Sequence, residues 1–277
     1  MLATTARGDD GVDITVADDG TPAHNYRVIA KDLTLAYGSV TAATNLSFDV
    51  RPGEFLSLIG PSGCGKSSVL RAIGGLLQPA SGELLVDGTP VRGPRPQDVS
   101  FIFQNLALYP WRSALRNVEV VLQFAGISRS ERRARAMDAL QAVGLGDVPD
   151  RFPHQLSGGM QQRVAIARGL VSDASLLLLD EPFAALDELS RLTIGEQLVR
   201  LLEEHHKTVV FVTHSLSEAA YLSDRIVVMT PRPATIKTIL DVPLPRPRQP
   251  ALLRTPEFHE LTDRLTALLL EGRDAEQ

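Results

Sequence analysis

The sequence predicts an α/β fold: a largely parallel β-sheet with helices on both faces, an antiparallel β region before it and a helical subdomain inserted within it. Three observations carry this prediction. Five short, strongly apolar runs, at 55–59, 99–103, 176–179, 209–213 and 226–229, are separated by helical stretches. Runs this apolar suit strands buried on both faces, as in a parallel sheet covered by helices. From Tyr26 to Phe55 the chain alternates in short segments, with turn signals at Tyr37-Gly38 and Pro52-Gly53, the pattern of antiparallel strands. Between Gln104 and about Ser172 the strand pattern stops. There, residues 130–143 set Ala134, Met137, Leu140 and Ala142 among charges, as an amphipathic helix does.

The flanks differ in composition. Residues 1–25 carry Asp9, Asp10, Asp13, Asp18 and Asp19 with little apolar content and read as a disordered acidic tail. The folded domain runs from 26 to 240, with its helical subdomain at about 104–172. Residues 241–277 hold a Pro-rich extended segment, with Pro243, Pro245, Pro247 and Pro250, then a closing amphipathic helix from about Pro256 to Leu270. Glu203-Glu204-His205-His206 resembles a metal cluster but sits at a helix end, where histidines favour the negative dipole.

Composition narrows the function. The chain has 277 residues, 44% hydrophobic and 22% charged, with a formal net charge of -5, a balance that suits a soluble globular protein. That charge argues against a general nucleic-acid binder, which needs a basic face to displace phosphate counterions. The single cysteine, Cys64, excludes an internal disulfide and a multi-Cys zinc site. No basic segment followed by an apolar one marks a signal peptide at the N-terminus. Apolar runs such as Leu176 to Leu179 fall far short of the roughly 20 residues that span a bilayer. Any membrane role is expected to come through a partner.

The strand at 55–59 leads into Gly60-Pro61-Ser62-Gly63-Cys64-Gly65-Lys66-Ser67, a full match to the G-x-x-x-x-G-K-[ST] phosphate loop. A helix follows, with Val69, Leu70, Ile73 and Leu77 on one face and Ser68 in its first turn. The glycines let backbone N–H groups turn inward around phosphate oxygens, and the helix N-terminus adds positive potential. Lys66 brings a point charge to the β- and γ-phosphates, and Ser67 a hydroxyl to Mg²⁺. ATP and Mg²⁺ are the expected ligands, and the motif in this setting resembles that of P-loop NTPases, whose fold is the one expected. Cys64 reads as a small loop residue.

The run at 176–179 ends in Asp180-Glu181-Pro182. Two carboxylates emerge together at the strand edge where such sheets bind ligands. Asp180 is suited to Mg²⁺, usually through water, and Glu181 to orienting and polarising an attacking water.

Leu156-Ser157-Gly158-Gly159-Met160-Gln161-Gln162-Arg163 resembles the LSGGQ signature of ABC ATPases, with Met160 in place of the Gln. Ser157 stands where a helix N-cap belongs. Gln104 resembles the family's Q-loop, Ala185-Leu186-Asp187 its D-loop (with Ala184 where Ser is common), His214 its H-loop and Tyr37 its adenine-stacking aromatic. The elements occur in family order over about residues 26–235. The resemblance implies a RecA-like sheet and a head-to-tail homodimer. In it, ATP lies between Lys66 of one chain and Ser157, Gly158 and Gly159 of the other. His214 then contacts the γ-phosphate, Gln104 senses Mg²⁺ and water, and Asp187 communicates between the two sites. From residues alone, Gln104 also fits a surface glutamine, His214 a core histidine and Tyr37 a strand aromatic.

An ATPase chain without membrane spans implies separate permease subunits at the cytoplasmic face of the membrane, an arrangement typical of importers, with an extracytoplasmic solute-binding protein as an indirect partner. Residues 105–118, with Tyr109-Pro110-Trp111, belong to the surface that in this family receives the permease; Trp111 fits either that surface or the subdomain core. His214-Ser215-Leu216-Ser217-Glu218-Ala219, Asp224-Arg225, Pro231-Arg232-Pro233 and the Pro-Arg-rich tail together resemble the ATPases of nitrate, sulfonate and taurine importers. Related systems carry bicarbonate or pyrimidine precursors. The alternative is an ABC ATPase not coupled to transport, acting on nucleic acid, on the ribosome or in iron–sulfur cluster assembly. Chromosome-organising members need a long coiled coil between the positions of Lys66 and Ser157, and no sustained heptads lie there.

Overall fold

The computed structural model describes residues 6–7, 13–14, 26–184, 186–204 and 206–271. The expected disordered tail falls outside these residues, apart from a two-strand pairing of β1 (Ala6–Arg7) with β2 (Asp13–Ile14). His205 and Ala185 also lie outside them.

The chain then runs β3 (Val28–Tyr37), β4 (Val40–Val50), β5 (Phe55–Ile59), α1 (Lys66–Ile73), β6 (Ser81–Val86), β7 (Thr89–Pro90), β8 (Val99–Ile102) and α2 (Ala114–Phe124). After these come α3 (Arg129–Ala142), α4 (Gly158–Leu170), β9 (Leu176–Asp180), α5 (Glu188–Glu204), β10 (Thr208–Val212), α6 (Leu216–Leu222), β11 (Arg225–Met229), β12 (Ile236–Asp241) and α7 (Pro256–Leu270). The main sheet has the order β12-β11-β5-β10-β9-β8. The five strands from β11 to β8 are parallel, and β12 closes one edge antiparallel to β11. A second sheet, β4-β3-β6-β7, is antiparallel throughout.

The sheet forms here because every second residue of its central strands has an apolar layer to enter on each side. Leu177, Leu179, Val209, Phe211, Ile226 and Val228 face a layer shared with α2, α4, α6 and α7. Leu176, Leu178, Val210, Val212, Val227 and Met229 face the other, shared with α1 and the antiparallel sheet. Full burial of one such side chain contributes about 1.5–3 kcal/mol. Ser57 is a polar exception on β5; it is fully buried and shares a short hydrogen bond with Ser223, which gives each hydroxyl a partner.

The helices α2, α3 and α4 stand between β8 and β9 in sequence. Gly169 sets how closely α4 approaches the sheet: a Cβ there would meet Ile102 Cγ1 at 2.5 Å. At the C-terminal end, Arg246 donates to the Asp224 carboxylate and Arg248 to the Ser223 carbonyl. These bonds tie the Pro-rich segment to the turn before β11, and α7 buries Phe258, Leu261 and Leu265.

Three readings from sequence need correction. The helix after the phosphate loop stops at Ile73, because Gly74 and Gly75 end it and Gly75 has φ +72°. Leu77 therefore lies beyond the helix, although it still packs against the same core. The antiparallel region extends past Phe55 to include β6 and β7. Between Met229 and the Pro-rich segment, where the sequence reading named no strand, lies β12.

Candidate nucleotide site

The phosphate loop leaves the buried strand β5 and turns through Gly63 (φ +76°) and Gly65 (φ +113°), a backbone region that side chains other than glycine rarely enter. Gly65 is the N-cap of α1 and supplies no side-chain cap. The first N–H groups of a helix have no intrahelical partner, so this end is left suited to an anion. A Cβ on Gly65 would lie 3.2 Å from the Ala42 carbonyl oxygen, so a side chain there would be crowded against β4. Lys66 is buried, and its ammonium donates to the carbonyls of Gly60 and Pro61, each at 2.9 Å. Cys64 is buried as well, with Sγ 3.9 Å from Lys66 Nζ.

Opposite the loop, the Ser67 hydroxyl donates to Asp180 Oδ1 at 2.8 Å. Burial pushes the Asp180 carboxyl above its usual range, and the Ser67 hydrogen bond pulls the other way. The next residue, Glu181, has φ +47°, and its N–H donates to the Val212 carbonyl at 3.0 Å. This left-handed turn aims the carboxylate across the ends of the neighbouring strands. Gln104 Nε2 donates to Glu181 Oε2 at 3.1 Å, and His214 Nδ1 lies 3.5 Å from the same oxygen. Gln104, Glu181 and His214 follow β8, β9 and β10, which are adjacent in the sheet, so topology alone brings the three together.

A cleft of about 550 Å³ is lined by Ser62, Gly63, Gly65, Lys66, Ser67, Ser68, Gln104, Glu181 and His214. Its chemistry fits a nucleotide's phosphates: an uncapped helix start, a lysine, and a glutamine, carboxylate and imidazole that share one oxygen. The Ser67 hydroxyl and Asp180 carboxylate form the kind of hard oxygen pair that Mg²⁺ takes.

Other expected site residues lie outside this cleft. Tyr37 stands 42% exposed at the end of β3, with its hydroxyl 3.5 Å from Arg71 Nη1. Ser157 caps α4 by accepting from Met160 N–H at 3.3 Å, and Ser157 and Gly158 are exposed. Asp187 is exposed and caps α5, accepting from the Ser190 N–H at 2.9 Å and the Ser190 hydroxyl at 2.6 Å.

The structure also brings forward residues the sequence did not single out. Asn117 is fully buried; its amide accepts from Tyr109 N–H and donates to the carbonyls of Tyr109, Arg112 and Ser113. It shapes the loop that carries Trp111, which is 71% exposed rather than in the core. Behind His214, Thr213 and Glu218 share a short hydrogen bond, and Arg191 lies 3.3 Å from Glu218. The Ser215-x-x-Glu218 spacing is a readable capping-box pattern; the partnership with Arg191, a strand and two loops away, is not.

A profile of the ABC transporter family matches residues 43–184. The chain is 46% identical over 244 residues to the nitrate import ATP-binding protein of Synechococcus elongatus, covering 87% of this chain and 37% of that protein. It is 41% identical over 244 residues to the taurine import ATP-binding protein of Rhizobium johnstonii, covering 86% and 93%. Among solved structures, a dimeric ATP-binding cassette in a post-hydrolysis state with ADP and Pi superimposes with a TM-score of 0.72 at 35% identity, covering 78% of this chain and 98% of that one.

Proposed function

The chain belongs to the ABC transporter family and is an ATPase, and from that premise we propose that it powers an importer: two copies clamp ATP between them and drive solute uptake through separate permease subunits. The observation that carries this reading is a division of labour. One cleft gathers Lys66, Ser67, Gln104, Glu181 and His214, while the second anion-suited helix start, at Ser157, faces outward from the same chain. In this reading another copy supplies that helix start to a phosphate held at Lys66. The solved dimeric relative supports that arrangement.

In this reading the loop 60–65 and Lys66 bind the β- and γ-phosphates, and Tyr37 stacks on the adenine. Glu181 orients the attacking water and takes its proton, while His214 and Gln104 hold that geometry. Mg²⁺ held near Ser67 and Asp180 would supply charge neutralisation at the phosphates. Asp187 carries information between the two sites. The exposed Trp111, on the loop pinned by Asn117, meets the permease, so the chain sits at the cytoplasmic face of the membrane. Among the described residues no helix is long and apolar enough to cross a membrane. A solute-binding protein outside the membrane is the indirect partner. The relatives favour a small solute of the nitrate or taurine kind.

The test is direct. Purified protein is assayed for phosphate release from Mg-ATP, and for mass in solution with and without nucleotide. Glu181→Gln is expected to cut turnover by roughly 10²–10⁴ while still binding ATP and accumulating as a dimer. A variant with normal turnover, or one that stays monomeric in saturating ATP even beside its permease, overturns the reading. Co-expression with candidate permease and solute-binding proteins, followed by uptake of labelled nitrate or taurine, identifies the solute class.

A further inference from the structure

We propose that Arg191 and Glu218 form a positioning pair that sets the placement of His214 from the loop carrying Asp187. The inference rests on the reading above that His214 serves the γ-phosphate.

The contacts form one continuous chain. Arg191 stands in the first turn of α5, where its N–H donates to the Asp187 carbonyl at 2.9 Å and its Nη2 donates to the Leu186 carbonyl at 3.3 Å. Its Nε lies 3.3 Å from Glu218 Oε1, an ion pair across to α6. Glu218 Oε2 accepts a short hydrogen bond from the Thr213 hydroxyl. That hydroxyl in turn accepts from the Ser215 N–H at 3.0 Å, and Glu218 N–H donates to the Ser215 hydroxyl at 3.3 Å. His214 is therefore flanked on both sides by residues that Glu218 holds. Its own side chain is 61% exposed, with Nδ1 3.5 Å from Glu181 Oε2. What fixes its direction is the backbone around it, and Glu218 fixes that backbone.

Burial strengthens the point. Thr213 is 1% exposed and the Glu218 side chain 12%. A carboxylate kept this far from water needs its partners, and these run toward both loops. A shift of the Leu186–Asp187 turn would move Arg191 and so act on His214 through Glu218. The pair is thus placed to make hydrolysis, rather than ATP binding, depend on that turn.

The experiment uses the full chain with Mg-ATP. Glu218→Gln and Arg191→Met are each expected to lower kcat about 10- to 100-fold, the scale of a small misplacement at the reacting centre. The Kd for a fluorescent ATP analogue stays within about twofold. The decisive readout is non-additivity. In a His214→Ala background, followed by single-turnover hydrolysis, Glu218→Gln adds less than about twofold, because its effect travels through the residue already removed. Equal loss in both backgrounds, or a Kd that rises in step with the loss of kcat, overturns the proposal. Should Glu218→Gln fail to fold, Thr213→Val and Thr213→Ser decide. The first is expected to behave like Glu218→Gln and the second to restore most of the lost kcat; equal defects in both sink the idea. A wild-type chain without turnover sinks the function itself. Turnover lost in Glu181→Gln but intact in Glu218→Gln sinks only this inference.

Discussion

Two helices of this chain begin alike in sequence and differently in structure. Both α1 and α4 follow a Gly/Ser turn. At α1 the N-cap is Gly65, held at φ +113° with no side-chain cap, and the first helical residue, Lys66, is buried. At α4 the N-cap is Ser157, in an extended conformation, and its hydroxyl already accepts from Met160 N–H. The first start is left open for a ligand inside the chain's own cleft. The second caps one of its own N–H groups and faces out. The Ser157 hydroxyl occupies one N–H of the α4 start and leaves the others for an anion brought by another copy; the α1 start, uncapped against a lysine, takes its anion within its own chain.

The largest expected effect removes the charge at the open start. Lys66→Ala should lower ATP turnover by at least about 10², read from phosphate release. Retained turnover would break the contrast, because the open start of α1 would then not be where this chain holds its own phosphates.

The next effect concerns whose site α4 serves. Ser157→Arg homodimers are expected to be inactive. Dimers mixing Ser157→Arg with Lys66→Ala should keep at most one composite site, and so up to about half of wild-type turnover. Two active sites in the mixed species would mean that α4 does not act on a neighbouring copy.

A smaller effect separates the glycines. Gly65→Ala is expected to cost about 1–3 kcal/mol, because it forces a side chain into the left-handed region, with Ala42 O already close. Gly158→Ala has nothing within 4 Å of its added Cβ and should stay within about 0.5 kcal/mol of wild type. Denaturant melts of the two variants sharpen the comparison.

The smallest effect concerns the pair behind His214. Burial holds the Glu218 carboxyl above its usual range, against the Thr213 bond and Arg191, which lower it. Its folded value therefore exceeds its unfolded one. The stability linked to it is complete at acid pH and is lost as pH rises from the ordinary carboxylate value through the raised one. Glu218→Gln removes this titration, so its Tm relative to wild type should be higher at pH 8 than at pH 4. A Tm difference that does not change with pH would contradict the sign.

Most of the main sheet was legible because its strands answer to one local rule. A run such as Leu176–Leu179 has no polar residue to place, so it needs cover on both faces. β6 escaped that rule: Ser81, Gly82 and Glu83 are exposed, and only Leu84, Leu85 and Val86 are buried. β12 escaped it too, with most of its residues half-buried at a sheet edge and prolines on either side. The phosphate loop, Glu181, Gln104 and His214 were readable from motifs because each follows a strand. The meeting of the last three at one carboxylate oxygen was not, since it depends on strand order rather than on strand content. The Arg191–Glu218 contact spans separate helices, and no spacing announces it.

The Trp111 loop shows what such distant contacts allow. Asn117 grips it only through main-chain groups, from the protein's inside. The curve of the loop is thus indifferent to which side chains decorate its outer rim. Exchanges at that rim, Trp111 included, are expected to leave the ATPase core behind them untouched.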